Sequence, residues 1–123
     1  VYYVQYAHAR IRSILRQPQT GEVLAQVPQP NLLLLQEPEE RQLMLRLCLF
    51  EEEVVAAAQK RAPHRLPPYL LDVASHFHGF YTRHRVLGVE PELSRARLAL
   101  VEATAVVLRN GLSLLGVEAP ERM

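Results

Sequence analysis

The chain has 123 residues, 49% of them hydrophobic but only 7% aromatic, with one cysteine, no tryptophan and a net charge of +1 at pH 7. That length makes one domain able to bury about two-thirds of its extended-chain surface, and a leucine-rich composition suits helices better than the β-branched and aromatic strands of a sandwich or barrel. No apolar run reaches the roughly 20 residues that span a bilayer and nothing has the form of a signal peptide, so no membrane partner is expected.

The near-neutral total hides a segregation. Residues 1–16 carry three arginines and no acid, residues 22–53 seven glutamates against two arginines, and residues 60–97 seven Lys or Arg against three acids. Two basic segments on a packed bundle either combine into the positive face of a nucleic-acid binder or are ordinary solvated helix surfaces.

Val1–Arg16 reads as a helix with Val4, Ala7, Ile11 and Ile14 or Leu15 inward. Tyr2, Tyr3, Tyr6, His8 and Arg10 crowd its first turns, either as rim packing or as rings and donors meeting a nucleic acid. The pattern starts mid-helix at Val1, so a piece of a larger polypeptide is expected, forming one domain over residues 1–123. Residues 17–38 contain Pro18, Pro28, Pro30 and Pro38 and read as a break, with Leu32–Leu35 anchored on the domain, at most as one helical turn.

A second long helix is expected from Pro38 to about Ala58, facing inward through Leu43, Leu47, Phe50, Val54 and Ala58. Cys48 lies in its apolar run and is expected to be buried, an unreactive thiol that fits an intracellular, reducing setting. The triplet Glu51–Glu53 reads as a solvated acidic face, because neighbours about 100° apart on a helix do not converge on a metal or a scissile bond. After the basic break Lys60–Pro68, the helix Pro68–Arg85 puts Leu70, Ala74, Phe77 and Tyr81 on one face and Asp72, His76, Gly79 and Arg83 on the other. Ser94 is the expected cap of a last helix, whose face is Leu98, Val101, Ala105, Leu108, Leu112 and Leu115, ending near Gly116. The prediction is an all-α bundle of four main helices with short accessory turns.

No phosphate-cradling glycine loop, zinc pair, nucleophile elbow or His-Glu-x-x-His occurs in the chain. His76 and His78 diverge on a helix, and Ser75, His76 and Asp72 cannot line up as nucleophile, base and orienter. No catalysis, cofactor or metal is therefore expected in these residues.

Three stretches carry a family resemblance: Val1–Ile11 (Val-Tyr-Tyr-Val-Gln-Tyr-Ala-His-Ala-Arg-Ile), His78-Gly-Phe-Tyr81 with Arg85-Val-Leu87, and Leu108–Met123, which closes on Ala-Pro-Glu-Arg-Met. Together they resemble the C-terminal DALR-type anticodon-binding domain of the arginyl-tRNA synthetases, class I enzymes, over the whole chain and in order. Ser94-Arg-Ala-Arg-Leu98 departs from the Asp-Ala-Leu-Arg wording of that domain type, which weakens any functional assignment to Arg95 or Arg97. The resemblance implies a cytoplasmic protein that binds the anticodon stem and loop of tRNA-Arg, with no DNA partner. It also implies a catalytic domain of the same polypeptide that uses ATP and Mg to ligate arginine.

Carried over by motif position, Tyr81 and Met123 are the implied base contacts. Tyr3, Gln5, His8 and Arg10 are implied at the RNA or at the catalytic domain. Arg83, Arg85, Arg109 and Arg122 suit phosphate contacts. The competing reading is a helical protein-interaction module whose partner surface is the tyrosine-rich first helix.

Overall fold

The computed structural model describes residues 1–123. It contains six α-helices and no strand: α1 (Tyr2–Leu15), α2 (Pro18–Gln26), α3 (Pro38–Cys48), α4 (Phe50–Gln59), α5 (Leu66–Arg83) and α6 (Pro91–Leu114), with 3-10 turns at Leu32–Leu34 and Pro63–Arg65. α1, α5 and α6 pack on one another around the largest buried side chains, Phe77, Phe80, Ile11, Leu70, Leu98, Leu108 and Leu112. Val4, Ala7, Ile11 and Ile14 are all buried, as the spacing in α1 predicts. Gly111 marks the closest approach of α6 to α5: a methyl group there would overlap the isobutyl group of Leu70, lying 3.1 Å from its Cγ.

Four expectations are corrected. Pro18 starts a helix instead of breaking one, because a proline at the first position loses no intrahelical bond. α2 is held at its start by Thr20, whose Oγ1 donates to the Ile14 carbonyl at 2.8 Å, and its far end by Arg95, which donates to the carbonyls of Val27 and Pro28. The helix expected from Pro38 to Ala58 is divided at Leu49 by one tightened turn, in which the Leu49 amide donates to the Arg46 carbonyl. The apolar register shifts across that turn, so Ala57 is buried and Ala58 exposed. Cys48 is exposed, on the outer side of α3 with Leu45 and Arg46. Ser94 does not cap α6, which opens at Pro91 after an extended Glu90; Ser94 is buried one turn in, its Oγ without a partner. The all-α bundle expected from the sequence is observed, and the short α2 and the division at Leu49 bring its α-helices to six. Of the leucine run, Leu35 is buried while Leu33 is 78% exposed.

Glu40 and Arg97 form an ion pair inside the bundle. Glu40 closes the capping box of α3 by accepting from the Glu37 amide through Oε1 (3.0 Å), and through Oε2 it accepts from Arg97 Nε (2.6 Å). Arg97 also donates through Nη1 to the Arg85 carbonyl at 2.9 Å. Both side chains are almost wholly buried. Removing one partner leaves the other charge unpaired in the core, so Glu40→Ala should cost about 3–5 kcal/mol in denaturant unfolding. A joint apolar replacement of both residues should recover most of that loss.

Burial, assisted by the charges of Arg12 and Arg109 and opposed by Pro120 and Glu121, holds the His8 imidazole below its ordinary pKa of 6.5. Burial and Arg10 do the same to His78. The unfolded chain thus binds more protons than the folded one below about pH 6.5, so stability is full above that value and falls as pH drops toward the folded-state pKa values. The urea midpoint should be lower at pH 5.5 than at pH 7.5, and an unchanged midpoint would contradict the burial of these two rings.

Candidate nucleic-acid interface

Tyr81 sits in the last turn of α5 because the 3.6-residue period brings it over Phe77. The two rings are stacked with centroids 5.7 Å apart and 13° between their planes. Arg10 reaches across from α1 and places its guanidinium carbon 5.0 Å from the Tyr81 centroid, a cation–π contact. The Tyr81 ring is partly exposed beside a cavity of about 470 Å³ lined by Arg10, Ser13, Ile14, Arg85 and Leu87 among others. Arg97 fixes the backbone of this wall through its bond to the Arg85 carbonyl.

A second cavity, about 370 Å³, lies along the same helix and is lined by Tyr6, Ala9, Arg10, Ser13, Arg16, Arg122 and Met123. Arg10 and Ser13 line both, so the two cavities adjoin along α1 as halves of a groove, with Tyr81 lining one and Met123 the other. Met123 is 54% exposed. A partly exposed ring, a soft thioether and the guanidinium groups of Arg10, Arg85 and Arg122 line these two cavities, groups of the kinds that meet unstacked bases and phosphates.

The C-terminal segment reaches this groove by a defined route. Just beyond α6, Gly116 has φ +74°, a left-handed conformation that suits glycine, and the Val117 amide donates back to the Leu112 carbonyl. The chain then runs along α1. Gln5 Nε2 donates to the Glu118 carbonyl (2.9 Å), His8 Nδ1 to the Pro120 carbonyl (2.9 Å), Arg12 Nε to Glu121 Oε1 (3.0 Å) and Arg16 Nη1 to the Glu121 carbonyl (3.1 Å). A carbonyl only accepts, so the His8 proton is on Nδ1, and Nε2 is left buried without a partner. Arg12 holds the Glu121 carboxyl below its ordinary pKa, chiefly through their hydrogen bond.

The remaining expected contacts divide. His8 is fully buried and so is not a surface that RNA can touch, and the Gln5 amide is occupied by the tail. Tyr3 and Tyr6, each a little over 40% exposed, flank His78 at 5.3 and 6.4 Å and continue the row of rings through Phe77 toward Tyr81. Arg83 lies outside the groove and donates to Glu39 at 3.3 Å; the same carboxylate pairs with His84, whose hydrogen bond is the main reason that the Glu39 pKa is depressed. Arg109 lines a different cavity, with Ser113, Gly116 and Glu118. Ser13, Leu87 and Arg16 were missed from sequence; of these, Ser13 was findable, one turn beyond Arg10 on the same face. No three His, Cys, Asp or Glu side chains gather as a metal-holding group, and no helix is long and apolar enough to cross a membrane.

The model of the DALR anticodon binding domain matches residues 4–123. Arginine–tRNA ligases of Caldanaerobacter subterraneus subsp. tengcongensis and Desulforudis audaxviator are 51% and 54% identical to the chain; each match covers all of the chain and 22% of the relative. The chain thus spans about a fifth of the length of the curated relatives it matches. Among solved structures, Thermus thermophilus arginyl-tRNA synthetase superposes with a TM-score of 0.79 at 39% identity, over 98% of this chain and 21% of that one. A putative arginyl-tRNA synthetase from Campylobacter jejuni gives 0.81 at 26% identity, over 99% and 26%. With a bundle that superposes on these proteins and a family model matched over nearly its whole length, the chain belongs to the DALR anticodon-binding domain family.

Proposed function

We propose that this chain binds the anticodon stem and loop of tRNA-Arg as the RNA-recognising part of an arginine–tRNA ligase. The observation that carries the reading is the pair of adjoining cavities along α1, one lined by Tyr81 and the other by Met123, with Arg10 and Ser13 common to both. Tyr81, supported by Phe77, offers a stacking platform, and Met123 covers a second base. Arg10, Arg85 and Arg122 take phosphates, with Arg83 and Arg109 as outlying contacts.

Ligation of arginine belongs, in this reading, to the other four-fifths of the polypeptide, with ATP and Mg bound there and translation in the cytoplasm as its setting. Tyr2, 71% exposed, and its neighbours Tyr3 and Tyr6 present more apolar ring surface than an isolated helix end needs. We assign that surface to the catalytic domain of the same polypeptide. The exposed rings are also what favours a protein-interaction module, and salt-independent indifference to RNA would support that alternative.

Tyr81→Ala should weaken binding to a tRNA-Arg transcript by about 1–3 kcal/mol, the worth of one base–aromatic stack, and should also lower the unfolding midpoint by the loss of its contacts with Phe77 and Arg10, with binding compared under conditions where both proteins are folded. Arg85→Ala and Arg122→Ala should each lower the salt slope of binding by about one. Arg83→Ala, whose guanidinium is engaged by Glu39, should lower it less. Equal losses at Arg83 and Arg85 would contradict the placement of the RNA in the groove.

A further inference from the structure

Gln5, His8, Arg12 and Arg16 stand at successive turns of α1, separated by three, four and four residues, and so form one stripe along the helix. The stripe meets the tail in register: Gln5 bonds to residue 118, His8 to 120, and Arg12 and Arg16 to 121. Three of the four bonds go to main-chain carbonyls and fix the course of the chain whatever its side chains. The fourth, Arg12 to the Glu121 carboxylate, is the one tail side chain gripped. Val117 and Ala119 pack partly against the core, but Glu121, Arg122 and Met123 are exposed, so apolar burial does little to place the last three residues.

We propose that Gln5, His8, Arg12 and Arg16 are positioning residues that hold residues 118–121 against α1 and thereby set Arg122 and Met123 in the cavity that adjoins the one lined by Tyr81. The effect on RNA binding rests on the reading given under Proposed function; the holding of the tail does not. The competing role for Arg12 and Arg16, given their charge, is direct contact with phosphate. The geometry disfavours it, since both guanidinium groups are already engaged by Glu121. A residue acting through the tail loses its influence when the end of the tail is gone, whereas a phosphate contact keeps it.

The test uses the chain, a variant lacking residues 122 and 123, and surface substitutions that spare the buried His8. With a tRNA-Arg transcript as probe, Arg12→Glu should weaken binding about three- to tenfold, and adding Glu121→Arg should restore most of it by reversing the pair. In the shortened chain, Arg12→Ala should have no further effect. An undiminished loss in the shortened chain, or a reversed pair no better than Arg12→Glu, would overturn the proposal in favour of phosphate contact.

Nitrogen-15 relaxation without RNA supplies the independent arm. Ala119, Glu121 and Met123 should become more mobile on the nanosecond scale in Arg12→Glu and recover in the reversed pair. Unchanged relaxation would overturn the proposal whatever the RNA does. Should the tail respond as described while the unaltered chain fails to bind tRNA-Arg, the positioning role stands and the RNA-binding reading falls.

Discussion

Glu40 and Arg97 are held away from water, and their hydrogen bonds tie together three parts of the chain that the apolar core alone would leave free to slide. The carboxylate closes the first turn of α3, the guanidinium belongs to α6, and a second of its donors, on Nη1, fixes the carbonyl of Arg85 in the turn between α5 and α6. Buried charges of this kind add little net stability compared with apolar residues of the same volume. Their consequence here is geometric: the turn bearing Arg85, Val86 and Leu87 becomes a fixed wall of the groove beside Tyr81. Arg97, whose departure from the family wording left it with no functional assignment in sequence, joins the fold to the candidate site.

The groove is assembled from three places distant in sequence: the middle of α1, the last turn of α5 with the turn beyond it, and the segment after α6. Each is set by a different physical device. Apolar periodicity sets α1 and α5, the buried ion pair sets the turn, and a ladder of polar bonds from α1 sets the tail. The first is strong and non-directional, while the last consists of partly exposed bonds that are individually weak and depend on acting in register. Arg122 and Met123 thus depend on the weakest of the three devices, whereas Tyr81 stacks on the buried Phe77.

Much of this was legible in the residues and some was not. The faces of α1, α5 and α6 follow from side-chain spacing, since each buries a continuous stripe. α2 was invisible because it buries only Thr20, so no apolar period announces it, and the prolines at its two ends read as breaks. The division at Leu49 and the exposure of Cys48 reflect which side of a leucine-rich run finds a neighbour, and a sequence in which both sides are apolar does not decide that. Tyr81 and Met123 came from motif position, and the structure places them in adjoining cavities that share Arg10 and Ser13. His8 and Gln5, taken from the same motif as contacts with RNA or the catalytic domain, are spent on the tail: a pairing more than a hundred residues apart leaves no periodic trace. Arg83 was read as free charge because Glu39 lies on another helix.

Recognition of an anticodon loop by arginines, a ring and a thioether, as proposed for this bundle, depends on both the bases and the phosphates of the RNA. The most direct measurement is the affinity of the chain for a tRNA-Arg transcript and for the same transcript with its anticodon replaced, each at two salt concentrations. The account predicts tighter binding of the native anticodon at both salts, with affinity for both RNAs falling as salt rises because phosphate contacts are shared. Equal affinity for the two anticodons, or binding that salt does not weaken, would contradict it.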